Sequence, residues 1–336
     1  MADRMRAQYT VLDEEGVAVI KKRDFAQDIQ QGLSKESKTI PCKYFYDEEG
    51  VDLFCKITET EEYYLTNCEY EILQNHKKDI LRTLGKKNFN LVELVAGDGS
   101  KTRVLINHFL ESNVDVTYIP IDISEDAVKS LIKEFNDREI DVKIDGLVAE
   151  YFTCITWIAK HAKETNLVLF LGSNIGNFNE SEAELFLHRL RNALNDGDCL
   201  LIGFDLKKEV NVLNKAYNDS KDVTAQFNLN LLRRINRELG GDFKPGNFKY
   251  YGSFNERSGA VESYLVSKKD QTVNIKSLNK SFKFKKGESI HTENSFKFTE
   301  ADIFHLANRA GFEILSNYTD SKGYFVDSLW QVVKKR

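Results

Sequence analysis

One stretch constrains the fold of this chain more than any other. Residues 90–95 (NLVELV) form an apolar run, Ala96-Gly97-Asp98-Gly99 breaks it, and a helical pattern opens at Lys101 and runs to Phe109. A strand buried on both faces reads as such a continuous run. Glycines after it let the backbone turn sharply and approach a ligand, and the helix start offers unpaired N–H groups. The alternation then repeats. Residues 115–122 (DVTYIPID) read as a second strand, with Ser124 as a helix cap. Residues 142–148 give a weaker third strand and 166–171 (NLVLFL) the clearest central one. Residues 180–194 have helical spacing after Asn179, a candidate cap, and residues 198–204 are again a buried strand. Strands and helices in alternation predict a parallel sheet covered on both faces.

After residue 206 the pattern changes. Residues 207–239 read as helical, and 248–267 and 273–284 as hairpin strands with polar alternation. The end returns to α/β, with a helix over 299–310 stopped by Gly311 and two antiparallel strands near 314–318 and 328–333. Two domains are therefore expected: a core of 68–206 plus 297–336, and a discontinuous α+β domain of 1–67 plus 207–296.

Bulk properties narrow the function. Charged residues are 29% of the 336, with a net charge of −5 and no basic run that could track a phosphate backbone. Nucleic acid is not an expected partner. No apolar run approaches a membrane span, and residues 1–22 hold no apolar signal core. Five cysteines without a CxxC pair favour free thiols in a reducing cytoplasm over disulfides or zinc. No metal site is expected, and the chain is expected to act as a monomer.

Each candidate site has a plainer reading beside the functional one. The 93–102 turn lacks the Walker spacing, and alone it could be a tight structural turn. Asp122, about twenty residues further on, is where nucleotide-binding α/β folds place an acid on ribose hydroxyls; otherwise it caps a helix. Glu150-Tyr151 could hold an adenine edge and face or simply start a helix. The Gly172–Asn177 turn puts amide donors after a buried strand, where a plain loop would also use Gly and Asn. Tyr44, Tyr46, Tyr63 and Tyr64 supply aromatic walls and hydroxyls, or core packing. Strand alternation would put His291, Glu293 and Ser295 on one face.

The segments KYFYDEEGVDLF, ITETEEYYLTNCE, ELVAGDGSKT, FLGSNIGNF, AYNDSKDVTAQFNLNLLRRINRELGGDF and GESIHTENSFKF occur in this order. Together they resemble the histidine Nα-methyltransferase family, which makes trimethylhistidine (hercynine) in ergothioneine biosynthesis. The resemblance runs over roughly residues 15 to 334, nearly the whole of the chain. It implies a class I, Rossmann-like core that binds S-adenosylmethionine, with a family-specific substrate domain and free L-histidine as acceptor. Carried over by position, Val95, Gly97, Lys101, Asp122, Glu150 and Tyr151 would hold the cofactor. Tyr46 and Tyr63 would line the place where methyl meets amine. Asn177, Tyr217 and Thr224 would hold the carboxylate and amine region, and Glu293 and Ser295 the two ring nitrogens.

Three positions depart from the family pattern. Val95 stands for the first glycine of the cofactor turn, Glu150-Tyr151 for an Asp-Phe pair, and Ser263 for a methionine that walls the imidazole pocket. Ser263 keeps open a related acceptor such as tryptophan. Val95 keeps open a non-catalytic protein that binds an adenosine ligand.

Overall fold

In the computed structural model, residues 7–12, 22–97 and 99–334 are described. Asp98 of the glycine turn, most of the 1–22 segment and the last two residues of the basic tail lie outside them. The strands are β1 (Gln8–Val11), β2 (Lys38–Thr39), β3 (Asn88–Leu94), β4 (Asp115–Asp122), β5 (Lys143–Val148), β6 (Asn166–Phe170) and β7 (Cys199–Asp205). Then come β8 (Phe248–Asn255), β9 (Ala260–Ser267), β10 (Gln271–Ile275), β11 (Lys280–Phe284), β12 (Ser289–Phe296), β13 (Phe312–Thr319) and β14 (Phe325–Val332). The helices are α1 (Lys22–Ser34), α2 (Glu48–Thr58), α3 (Tyr64–Leu84), α4 (Ser100–Glu111) and α5 (Glu125–Asp137), followed by α6 (Tyr151–His161), α7 (Glu180–Ala193), α8 (Val210–Ala216), α9 (Val223–Leu239) and α10 (Glu300–Ala310).

Contacts divide the chain into two units: the described residues of 1–19, 67–206 and 298–336, and those of 20–66 and 207–297. The first unit is one sheet in the order β1-β5-β4-β3-β6-β7-β14-β13. Strands β1 to β7 of that sheet run parallel, and β14 and β13 are antiparallel. This is the Rossmann-like sheet of class I methyltransferases. Its order reverses at β3 and β6, the point where such sheets bind ligands beyond the strand ends. Helix boundaries follow local chemistry. Ser124 caps α5, while Asn179 and Thr299 open α7 and α10 with capping boxes. Gly311 ends α10 at φ 81°.

One segment departs from the expected division. Residues before 67 were expected in the second domain, yet β1 pairs in parallel with β5 at the edge of the first unit's sheet. Its four side chains are all exposed, so backbone pairing and the surface hydrogen bonds Gln8–Asp145 and Tyr9–Glu125 hold it, and no apolar pattern announces it.

Beneath the strand reversal lies a buried charge cluster that long-range folding assembles. The Glu69 carboxylate pairs with the Lys101 ammonium and accepts from the Gly172 amide at 2.6 Å. Asp327 on β14 is fully buried next to it, and neither of its oxygens is offered a donor among the described residues. Burial, then the Glu69 charge, pushes the Asp327 carboxyl well above the carboxylate range, so this acid keeps its proton. Burial acts to depress the Lys101 ammonium, but Glu69 more than offsets it and the net shift is upward. Glu69→Gln, which strands a buried ammonium, is expected to cost about 3 kcal/mol or more in urea unfolding. Asp327→Asn, replacing a group that is already neutral, should cost under about 1 kcal/mol. The reverse ranking would contradict this assignment of charge.

The second unit holds the sheet β2-β12-β9-β8, the hairpin β10-β11, and helices α1, α2, α8 and α9. The long helix α9 buries Phe227, Leu231, Ile235 and Leu239, a helical stripe.

Candidate functional site

The cofactor candidates lie in the first unit at the carboxyl ends of neighbouring strands. Val95 follows β3 at φ 60° and is 57% exposed. That left-handed conformation suits glycine and is strained for a β-branched residue. Gly97 has φ 54°, and a Cβ there would meet nothing within 4 Å, so the turn leaves open space. At Gly99 (φ 64°) a Cβ would stand 2.8 Å from Leu131, so glycine is required for α4 to start there. Gly99 itself offers no side-chain cap to the start of α4.

Asp122 ends β4 and accepts from the Ser124 amide at 2.8 Å. Burial raises its carboxyl despite the Ser124 and Ile123 amides. Glu150 caps α6, accepting from the Phe152 amide at 3.0 Å. Tyr151 beside it is half-buried against Phe152 and Phe186. Open space at Gly97, a helix start directly after it and a strand-end acid at Asp122 fit the polar groups of S-adenosylmethionine. Asn177 ends the short turn after β6 in this unit and is partly exposed. Lys101 differs from a free cofactor ligand in that its ammonium is engaged by Glu69.

The second unit gathers Tyr46, Tyr63, Tyr217, Thr224, Ser263, Glu293 and Ser295. Tyr46 precedes Asp47, which caps α2 and accepts from Asn230 on α9 at 2.7 Å, with Arg237 also paired to it. Rings link the tyrosines: Tyr46–Phe54 at 5.7 Å, Phe54–Tyr63 at 6.3 Å and Tyr63–Tyr217 at 6.3 Å. Phe54 and Phe227 thus belong to the aromatic wall, although the sequence did not single them out. The Tyr46 ring keeps accessible surface, but protein atoms crowd its hydroxyl. Loss of water, then the Glu293 charge and the Tyr63 phenol, pushes it well above the ordinary range. Tyr46 is a neutral phenol throughout the physiological range. Asp219 accepts from the Val223 and Thr224 amides at 2.8 Å and so fixes the first turn of α9, where Thr224 sits.

Strand β12 carries the polar heart of this unit. The expected common face of His291, Glu293 and Ser295 is corrected by a bulge. His291 pairs with Tyr264 and Glu293 with Ser263, so the register slips by one between them. Thr292 is the extra residue, turned inward with its hydroxyl bonded to the Asn228 amide oxygen at 2.8 Å. His291 therefore faces away with Tyr264, while Glu293 and Ser295 share one face. Across the sheet, Glu293, Ser263 and Gly252 form a row. Gly252 leaves room for the Tyr250 hydroxyl, which bonds Ser263 at 3.1 Å. Tyr250 was missed in the sequence, because only the row reveals that it folds over a glycine.

The Glu293 carboxyl has no hydrogen-bond partner among the described residues. Burial raises it to about 7, with Lys297 pulling the other way. The folded value exceeds the ordinary 4.5, so the folded state favours the protonated form. Stability from this group is full below 4.5, declines as pH rises toward 7, and is lost above. Glu293→Gln is therefore expected to raise the melting temperature at pH 8 and leave it unchanged at pH 4; equal effects at both would contradict the shift. Val95→Gly should stabilise the protein by about 1 kcal/mol in chemical denaturation by relieving the left-handed valine, and a loss of stability would refute that strain.

A model of the family described as histidine-specific methyltransferase, SAM-dependent, matches residues 25–332. Histidine N-alpha-methyltransferase of Mycolicibacterium smegmatis is 33% identical over 303 residues, which is 90% of this chain and 93% of that protein. Its namesake from Mycobacterium tuberculosis is 33% identical with the same coverage. Ergothioneine biosynthesis protein 1 of Schizosaccharomyces pombe is 28% identical over 90% of this chain but only 40% of its own length. With these matches spanning both units, the chain belongs to the histidine-specific, S-adenosylmethionine-dependent methyltransferase family.

Proposed function

We propose that the protein transfers methyl groups from S-adenosylmethionine to the α-amino nitrogen of free L-histidine, up to trimethylhistidine. The observation that carries this reading is Glu293. It is a carboxyl without a partner, beside Ser295 on one face of β12, and it invites a ligand with a ring N–H.

When bound, S-adenosylmethionine supplies a methyl group already activated on a sulfonium. The chain's residues then need to bind, orient and exclude water. Asp122 would accept from the ribose hydroxyls, Gly97 and Val95 would offer backbone to the methionine portion, and Lys101 would add positive charge. Glu150 and Tyr151 would meet the adenine. Asn177, Tyr217 and Thr224 would hold the acceptor's carboxylate and amine region. Ser263, with Tyr250 bonded to it, would wall the ring.

The attacking amine must be neutral. An α-amino group has a pKa of roughly 8, somewhat higher beside a free carboxylate, and modest desolvation in the site supplies the neutral form. Tyr46, locked as a neutral phenol, orients the amine with Tyr63 and acts as no base. The first and second transfers each leave a cationic nitrogen that gives one proton to water before the next, and the third yields a quaternary ammonium with no proton to lose. Glu293 would accept the ring N–H, and Ser295 would meet the other ring nitrogen. The free thiols of all five cysteines suit a cytoplasmic setting for a single-chain enzyme.

Mass-resolved methyl transfer, with each of the twenty amino acids offered singly, tests this reading. Histidine should gain up to three methyl groups; transfer to another amino acid with histidine inert would overturn it. Asp122→Ala should weaken S-adenosylhomocysteine binding about tenfold or more in calorimetry, and unchanged affinity would remove Asp122 from the cofactor set.

A further inference from the structure

Glu69 is a buried carboxylate of the first unit to which the proposed chemistry gives no task. Its side chain is 1% exposed. One of its oxygens accepts from the Lys101 ammonium, and the other accepts from the Gly172 amide at 2.6 Å. The sheet is cut away to admit it. A Cβ at Gly203 on β7 would collide with the Glu69 Oε1 atom and stand 3.2 Å from Asp327 Oδ1, so position 203 has room for hydrogen alone.

An ammonium has three N–H donors and accepts nothing. Glu69 takes one donor of Lys101, and among the described residues no acceptor takes the other two. The Lys101 side chain keeps 24% of its surface exposed, and its ammonium lies 3.5 Å from where a Gly172 Cβ would stand. Two unspent donors of a cation therefore sit beside the turn after β6, at the strand reversal where such a sheet takes its ligand. S-adenosylmethionine offers one anion, its carboxylate, and two cations, its α-ammonium and its sulfonium. A loose ammonium on a four-carbon stem would sample positions near all three, and repulsion from the cations would offset its attraction for the carboxylate. Glu69 removes that freedom.

We propose that Glu69 is a positioning residue for the cofactor: it fixes the Lys101 ammonium against the Gly172 turn, so that the two remaining donors meet the carboxylate of the methionine portion. The inference rests on the reading that this crevice binds S-adenosylmethionine. It adds which end of the cofactor Lys101 reads and what confines it to that end. Without Glu69 the lysine remains, but its donors are no longer aimed.

The test is calorimetry on the full chain with S-adenosylhomocysteine and its decarboxylated analogue, which keeps the amine, the sulfur and the adenosine. The wild type should prefer S-adenosylhomocysteine about tenfold or more. Glu69→Gln should bring that ratio to within about threefold, with affinity for the decarboxylated analogue changed by less than about threefold. Removing Lys101 as well, in the double variant Glu69→Gln with Lys101→Met, should lower the ratio no further. Glu69→Asp keeps the negative charge but is one methylene too short to hold both Lys101 and the Gly172 amide. It should lose the preference in the same way, and it carries the comparison if Glu69→Gln does not fold. A Glu69 with a structural role alone would weaken both ligands in parallel and leave the ratio in place. That result in a folded variant, or a further loss in the double, would overturn the proposal. A wild type that binds both ligands equally well would sink this inference alone. A wild type that binds neither would sink the cofactor reading with it.

Discussion

Two buried carboxyls and one partly buried ammonium hold the first unit's strand reversal in place. Glu69 draws together the start of α4 through Lys101 and the turn after β6 through the Gly172 amide. Both elements border the strand ends where a doubly wound sheet takes its ligand. Burying charge is costly unless its partner is close and the remaining hydrogen bonds are made. Asp327 meets that condition by giving up its charge, which leaves one negative and one positive group in the cluster. The turn after β3 then carries its own strain at Val95, in a segment that adjoins this rigid anchor.

The second unit works by the opposite device. Glu293 has no hydrogen-bond partner among the described residues and is raised to about 7, while Lys297, Tyr217 and Ser295 are hydrogen-bonded to one another. One group is poised for a ligand and its neighbours are already ordered, which limits what must be fixed on binding. The aromatic row from Tyr46 through Phe54 and Tyr63 to Tyr217 keeps the three phenols in place.

Local chemistry was legible in the amino acids. Strand β4 ends at Asp122 as read, Ser124 and Asn179 cap the helices they were expected to, and Gly311 stops its helix. Their signals need only three or four neighbouring residues. What depends on distant partners was not legible. Strand β1 has no buried face to betray it. Glu69 and Asp327 meet across 258 positions of chain, and no local pattern marks either of them. The bulge at Thr292 follows from a bond to Asn228 on α9, so simple alternation put His291 on the wrong face. Tyr250 reaches Ser263 on the neighbouring strand only because Gly252, two residues on in its own strand, has no side chain.

The central claim is that the Glu293 face reads an imidazole. Nitrogen-15 NMR of ring-labelled L-histidine bound to the protein with S-adenosylhomocysteine addresses it directly. The account predicts one protonated nitrogen in a strong hydrogen bond to a carboxylate and one bare nitrogen accepting a hydrogen bond, in slow exchange with free histidine, with the first signal changed in Glu293→Gln. Ring nitrogens that keep their averaged free-solution shifts, or that ignore the Glu293→Gln change, would contradict it.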